Sequence, residues 1–569
     1  MKLILQGVFA LLLGFTMQAQ SDQAPVAADS IYFGGTVLTM NDAMPRARAV
    51  AVHDGRILAV GEETPVRAYQ GERTRMIDLQ GRALMPGFID SHSHLSMVAI
   101  KSATAEMSPP PVGKVDSLAA MEAVFRAHLE KTRPAPGEWV VGWGYDHSKL
   151  AENRHPTAAD LDRVSTEYPI LLIHFSSHQA VLNSRGLELA GYNADSPDPS
   201  GGVIARKPGT REPNGIIEEQ AWIPLFRKVV NVRGDEMASR LEKALDIYAA
   251  AGFTTVQDGA VSDPRTVAHL KDIHEKRGMG PDIIGFAWVQ EVAGEREIGA
   301  GKAYDRGYRT GGVKFVLDGG SPGRTAYLRE PYFVQKEGEK NYRGYPHVAS
   351  QDKINRQVTS YYARDIPVNI HALGDAALDM GLDAVAYAEA QQGGGDRRTN
   401  MIHLQVVADD QIERMKHLDV TATFQVTHNY YFGDLHLANT LGPKRANRLN
   451  PLQSMLKAGV SSTIHHDAPV HPADQMLIIW AVVNRVTLGG VLLGPQERVS
   501  VMDALKASTI NAAYQYFEEG SKGSIEVGKL ADFVILDADP TAVDPMAIKN
   551  IAVRQTIKAG QVIYSADSQ

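Results

Sequence analysis

Two histidines one residue apart close an apolar run in Met85-Pro-Gly-Phe-Ile-Asp-Ser-His92-Ser-His94. On an extended chain residues i and i+2 point to the same side, so both imidazoles can reach one ion. The pattern recurs. Val368-Asn-Ile-His371 and Met401-Ile-His403 each finish an apolar run on histidine, and Ser462-Thr-Ile-His-His-Asp467 finishes another on a carboxylate. Four histidines and one aspartate at strand ends are metal-ligand chemistry. A divalent ion lowers the pKa of a water molecule from about 15.7 towards about 7 and polarises a carbonyl oxygen. Imidazole and carboxylate donors suit zinc, with manganese, iron or cobalt able to substitute.

Lys314 lies inside the apolar run Val313–Leu317, where an unpaired ammonium is costly and burial favours the neutral amine. A neutral amine can add carbon dioxide, and the resulting carbamate can bridge two cations. The other reading pairs Lys314 with Asp318 or Asp375. Asp375, four residues after His371, either orients a metal ligand or caps a helix. Candidates for substrate contact are His178, Tyr145, Asp146, His147 and Arg324, all in segments that follow strand-like runs. A loop histidine satisfied by its neighbours and a surface salt bridge are the plainer readings of His178 and Arg324. His465, His466 and His471 crowd Asp467, and most of them are expected to be packing.

These side chains need strands whose ends open on one face. From about Pro86 to Tyr516, short apolar runs recur at Trp139–Trp143, Ile170–His174, Thr254–Gln257, Ile283–Trp288, Val313–Leu317, Val368–His371, Met401–Leu404, Thr421–Gln425 and Ser462–His465. Amphipathic stretches such as Asp235–Ala251 and Asp375–Gln391 lie between them. Alternation at this count predicts an α/β fold with a parallel sheet, and the length suits a (β/α)8 TIM barrel over residues 85–519. No glycine-rich phosphate loop supports a doubly wound sheet instead. Ser196–Asn214, rich in proline and glycine, reads as a loop. The two flanks are β-rich. Ile31–Leu38, Ala49–His53, Arg56–Val60 and Met76–Leu79 at one end, and Gly523–Val527, Phe533–Leu536 and Val553–Tyr564 at the other, read as strands. Asp54-Gly55 marks a hairpin. Each flank is too small to fold alone, so residues 30–84 and 520–566 are expected to share one small β-sandwich domain.

The spans MPGFIDSHSHL, VKFVLDGG, HALGD, IHLQ, HHDAPV and KGSIEVGKLADFVILD resemble the amidohydrolase superfamily. With GWGYDHSKL, PTAADLDRVS, NSRGLELAG and GRTAYL they are most similar to its amidohydrolase-3 branch, the YtcJ-like group that includes N-substituted formamide deformylase. The resemblance covers nearly all of the chain after the first residues. It implies that His92 and His94 hold the more buried metal, and that a carboxylated Lys314 bridges to a second metal held by His371 and His403. It also implies that Asp467 binds the first metal and acts on the water. Two positions depart from the branch: His466 stands where serine is common, and Ile402 where glutamate is usual.

Composition narrows the rest. The 569 residues carry 58 Lys+Arg against 66 Asp+Glu and no cysteine. The net charge of −8 argues against nucleic acid as a partner. Zero cysteine excludes disulfides, a thiolate nucleophile and cysteine-ligated metals, including the cysteine-bridged variant of such a site. Met-Lys, an apolar run over Leu3–Met17 and a small-residue exit read as a signal peptide over residues 1–20. The expected protein is therefore periplasmic or secreted, without stable membrane association once the leader is removed, and its partner is a small-molecule substrate. A homo-oligomer is left open. The expected reaction is metal-dependent hydrolysis of a C–N bond in an amide, formamide or cyclic amide. The alternatives are deamination of a heterocycle and a non-catalytic binding barrel.

Overall fold

The computed structural model describes residues 26–229, 234–261, 264–289, 301–335, 338, 340–348 and 350–568. The expected leader, residues 1–20, lies outside the described residues. Eight strands of the middle region form one sheet: β1 (Phe88–Ile89), β2 (Phe253–Val261), β3 (Asp282–Trp288), β4 (Tyr308–Val316), β5 (Val368–Ala372), β6 (Asn400–His403), β7 (Thr421–Gln425) and β8 (Ser462–His465). They lie side by side in chain order, and every ladder is parallel. Parallel neighbours require long crossovers, and these carry helices such as Pro264–Arg277, Gln351–Tyr362, Asp375–Gln392, Asp409–His417 and Leu452–Ala458. Strands β5 to β8 are buried along their whole length, which is why they read as continuous apolar runs instead of alternating ones. Among the described residues no ladder joins β8 to β1. That seam is spanned by His94 N donating to Ala468 O (2.8 Å) and Ser91 Oγ donating to Ile464 O (3.0 Å).

Residues 105–219 form a sheet of their own. Its six strands include Val140–Tyr145, Ile170–His174, Gln179–Leu182, Gly202–Arg206 and Pro213–Glu219. Two apolar runs expected in the eight-stranded sheet, Trp139–Trp143 and Ile170–His174, therefore belong elsewhere. Ser196–Asn214, expected as a loop, carries one strand of an antiparallel hairpin and the start of its partner. The reason is local: buried parallel strands have the same apolar texture in either sheet, and texture does not name a partner.

The N-terminal flank forms a four-stranded sheet by itself, and the two flanks meet in a six-stranded one. In the six-stranded sheet Ala83–Pro86 pairs antiparallel with Phe533–Leu536. Tyr32 and Phe533 pack edge to face, ring centroids 5.6 Å apart, in a cluster that also holds Val50, Leu84, Ile535 and Ile557. Truncating a ring buried like that of Phe533 costs about 3–5 kcal/mol. Asp54-Gly55 makes the expected two-residue hairpin, with φ of 47° and 70°. Gly523–Val527, expected as a strand, is not one. Its Ile525 is held by a single backbone bond to Thr39 O (2.8 Å) and by burial.

A buried ion network ties this end to the parallel sheet. Asp282, at the start of β3, accepts from Lys522 Nζ (2.5 Å) and Lys558 Nζ (2.6 Å). Lys558 also reaches Asp532 (2.7 Å), and Lys522 reaches Glu518 (3.0 Å).

Candidate metal centre and active site

The six residues singled out as metal ligands converge at the C-terminal ends of the parallel strands. His92 and His94 follow β1, Lys314 lies in β4, His371 in β5, His403 ends β6, and Asp467 follows β8. Ligand atoms of His92, His94 and Asp467 lie within 4.8 Å of one another, and so do those of His403, His465 and Asp467. Asp467 Oδ1 is 3.6 Å from His92 Nε2 and 3.4 Å from His94 Nε2, while its Oδ2 is 3.8 Å from His403 Nδ1. Lys314 Nζ sits 3.0 Å from His92 Nε2. The His371 and His403 rings are 4.4 Å apart. Two of these residues hold left-handed backbone, His403 at φ 81° and Asp467 at φ 60°. Such conformations cost a non-glycine residue roughly 1–3 kcal/mol and cluster where function fixes a side chain.

The donors suit a divalent ion. His371 Nε2 and His403 Nδ1 are buried, face this cluster and make no hydrogen bond. Lys314 has no ion pair with Asp318 or Asp375 among the described residues. Asp318 instead accepts from Tyr327, Leu373 and Gly374 N, each at 2.9 Å, and lies 3.5 Å from His371 Nε2. Asp375 accepts from Arg329 N (2.7 Å) and Ala376 N (3.1 Å) in the first turn of its helix, so it touches no ligand.

A cavity of about 540 Å³ opens on the cluster. Its lining is mixed: His94, His178, Lys314, His371, His403 and Asp467 supply polar atoms, with Arg265 and His269 also present. Met97, Ile100, Trp222, Phe226, Trp288 and Val470 supply apolar and aromatic surface. Of the expected substrate contacts, His178 lines the cavity and Tyr145, Asp146, His147 and Arg324 do not. Tyr145 is wholly buried in the inserted sheet, Asp146 and His147 follow it there, and the Arg324 guanidinium lies over Tyr332 and Tyr342 at 5.3 and 5.5 Å.

The family model described as the Amidohydrolase family matches residues 75–564. The chain belongs to this family. N-substituted formamide deformylase of Arthrobacter pascens is 29% identical over 552 residues, covering 94% of this chain and 98% of its own. The protein YtcJ of Bacillus subtilis (strain 168) is 28% identical over 543 residues, 94% of this chain and 99% of its own. An uncharacterized metal-dependent hydrolase from Pyrococcus horikoshii OT3 superposes with a TM-score of 0.70 at 23% identity, over 91% of this chain and 99% of that one.

Within this amidohydrolase, several residues not singled out from the sequence hold the ligands in place. Gln257, in β2, faces His92 Nδ1 with its amide oxygen. Its nitrogen donates to Ser91 O (3.0 Å) and Tyr516 Oη (2.6 Å), which fixes the amide's orientation. His92 therefore donates from Nδ1 and keeps the Nε2 lone pair for the ion, the usual device for orienting a metal-bound imidazole. Gln425 Nε2 donates to Asp467 Oδ2 (3.1 Å). Glu219, fully buried, takes two histidines on one oxygen: His178 Nδ1 and His347 Nε2, each 3.0 Å from Oε2. The His178 ring lies 5.4 Å from that of His371, so the inserted sheet supplies a side chain to the amidohydrolase centre.

Burial sets the charge states. It pushes His92, His371 and His403 well below the ordinary histidine range, helped by Lys314 and neighbouring imidazoles, which leaves the neutral form that binds metal. Burial also pushes Lys314 down to about 7, with Asp467 opposing. Burial raises Asp467, but His94, His465 and Lys314 outweigh it and hold the carboxyl down at about 2. Asp90, which accepts from Ser93 Oγ beneath the ligands, is pushed up to about 7 by burial.

Proposed function

We propose that this amidohydrolase is an exported enzyme that hydrolyses the C–N bond of an amide, formamide or cyclic amide bearing an apolar substituent. The observation that carries the reading is one cavity lined by both the clustered His/Asp ligand set and several apolar and aromatic side chains. A relative named as an N-substituted formamide deformylase supports the substrate class. His92, His94 and Asp467 would hold one divalent ion, zinc by donor preference. His371 and His403 would hold a second, with Lys314 as a carbamate between them. A bound ion would supply Lewis-acid polarisation and acidify water.

The protein's own groups do the rest. Asp467 accepts the proton of the attacking water at a carboxylate oxygen and returns it to the departing nitrogen, so that amide and water become acid and amine. His178 has committed Nδ1 to Glu219 and presents its other nitrogen towards the cavity, where it contacts the substrate's polar group. Apolar side chains of the lining, Met97, Ile100, Trp222 and Phe226 among them, take the substituent. The apolar stretch over Leu3–Met17 supports export to the periplasm or medium.

Buried Lys314, 3.0 Å from a ligand histidine, favours the bridged two-ion centre over a one-ion deaminase. The deciding experiment is a screen of the purified, zinc-loaded enzyme against N-acyl, N-formyl and cyclic amides with small and bulky substituents. Turnover favouring bulky apolar amides is expected. Ammonia release from amino-heterocycles, with no amide cleaved, overturns the proposal.

A further inference from the structure

Strands Val140–Tyr145 and Ile170–His174 run parallel in the inserted sheet, with Tyr145 opposite His174 at their shared C-terminal end. The chain leaves the first of them through Asp146 and a short turn, His147–Lys149. That turn brings His147 Nδ1 to 3.3 Å from His174 Nε2. Ligand atoms of Asp146, His147 and His174 lie within 4.8 Å of one another. Asp146 and His174 are buried, 3% and 0% exposed, and His147 is half-buried.

The spacing of the nitrogens is informative. A hydrogen bond from an N–H usually closes to about 2.9–3.0 Å. Tetrahedral zinc, with Zn–N bonds of about 2.0–2.1 Å, places its donors roughly 3.3–3.4 Å apart. The remaining nitrogen of His174, Nδ1, lies 2.8 Å from Ser176 Oγ. A proton held there leaves Nε2 as a lone pair aimed at His147. His155 stacks on His147 at 3.8 Å between ring centroids, and its Nδ1 lies 3.0 Å from Tyr145 Oη, which sets the plane of the His147 ring. Asp146 Oδ1 accepts from Ser148 N (2.9 Å) and Ser148 Oγ (2.8 Å), which leaves Oδ2 as the ligand atom. None of Asp146, His147 and His174 lines the cavity around Lys314.

We propose that Asp146, His147 and His174 form a separate zinc site that clamps the ends of two strands in the inserted sheet. Three protein ligands leave the fourth position of the tetrahedron to water. The site has a consequence for the cavity. Ser176, Ser177 and His178, which line it, leave the second strand immediately after His174, so an ion here fixes the segment that presents His178.

The test is a count of zinc. Metal-free full-length enzyme and its His147→Ala and His174→Ala variants are loaded with zinc alone, freed of excess by gel filtration and assayed for metal and for circular dichroism. Each variant is expected to hold about one equivalent less than the parent. Equal zinc content in parent and variants overturns the proposal. If His174→Ala fails to fold, half-buried His147→Ala carries the comparison. Loading with cobalt(II) adds a second readout, since the visible bands of the tetrahedral ion should weaken in the variant and the proposal fails if they do not. Because the result is a difference between proteins, loss of the Lys314 centre would lower all of them equally and leave it readable.

Discussion

Replacing Gln257 by leucine isolates the orientation of one ligand. The side chain makes three polar contacts, and two of its partners keep others when it is removed. Ser91 O still accepts from Gln515 Nε2 (2.9 Å) and Tyr516 Oη (3.0 Å), and Tyr516 still donates to Asp90 O (2.8 Å). His92 Nδ1–H alone is stranded in a wholly buried site, which costs about 1–3 kcal/mol. The ring can escape that cost by moving its proton to Nε2 or by turning, and either takes the ligating lone pair away from the ion. Loss of such an outer partner typically weakens metal binding about 10–100-fold, which is about 1.4–2.7 kcal/mol. The assay is competition for zinc between metal-free enzyme and a chromophoric chelator, with a urea midpoint to verify the fold. Gln257→Glu, which keeps an acceptor at the same place, should lose less affinity than the leucine variant. A folded Gln257→Leu enzyme that binds zinc within about twofold of the parent would refute the reasoning.

Asp467→Asn should retain the fold and lose about 10²–10⁴-fold in kcat/KM on whichever amide the screen identifies, the usual worth of a positioned acid–base group; undiminished turnover would exclude the role. Lys314→Met replaces a buried amine with an apolar chain of similar length, so the fold should hold while at least one of the two ions proposed for this centre is lost. Carbon-13 bicarbonate should label the parent with a carbamate signal that this variant lacks, and an unlabelled parent would remove the bridge. Asp282→Ala removes the carboxylate that Lys522 and Lys558 share but leaves them Glu518 and Asp532, so it should destabilise the protein in urea unfolding by less than the about 3–5 kcal/mol of an uncompensated buried charge. Burial raises Asp282, but Lys522 and Lys558 outweigh it and hold it below the ordinary carboxylate range; the same pairing raises both lysines despite their burial. The aspartate's contribution is therefore present above its unfolded value of about 3.9 and lost as pH falls towards the folded one. The lysines' contribution is present below about 10.4 and lost as pH rises through their folded values. Stability that changes no more in the parent than in the variant towards either extreme would count against the network.

The convergence of the candidate ligands could be anticipated because all of them but Lys314 close an apolar run, where a polar side chain has few other uses. His92-Ser-His94 and Asp467 needed only the two-residue period of an extended chain. Gln257 was missed although it ends the apolar run Thr254–Gln257, because one buried glutamine has no characteristic spacing. Glu219 and His347 were missed for a different reason. Glu219 meets His178 through the antiparallel pairing of two strands within the inserted sheet, and His347 joins them from more than a hundred residues further along the chain. Arg324, expected near the substrate, lies over the Tyr332 and Tyr342 rings and does not line the cavity, a placement its loop position did not indicate. Strand texture told which residues were buried, but not which sheet they joined.

The pairing of Ala83–Pro86 with Phe533–Leu536 has a bearing on how the protein is made. A ribosome adding roughly 5–20 residues per second needs about 20–90 seconds between the two strands. For that interval Ala83–Pro86 lacks this neighbour, and the first of the candidate ligand histidines, His92, follows only six residues later. Contacts this distant in sequence form slowly, and an unpaired strand edge invites association with another chain. Newly made chains should therefore depend on being kept apart until translation passes Leu536, and yield should respond more to synthesis rate and temperature than to the metal supplied.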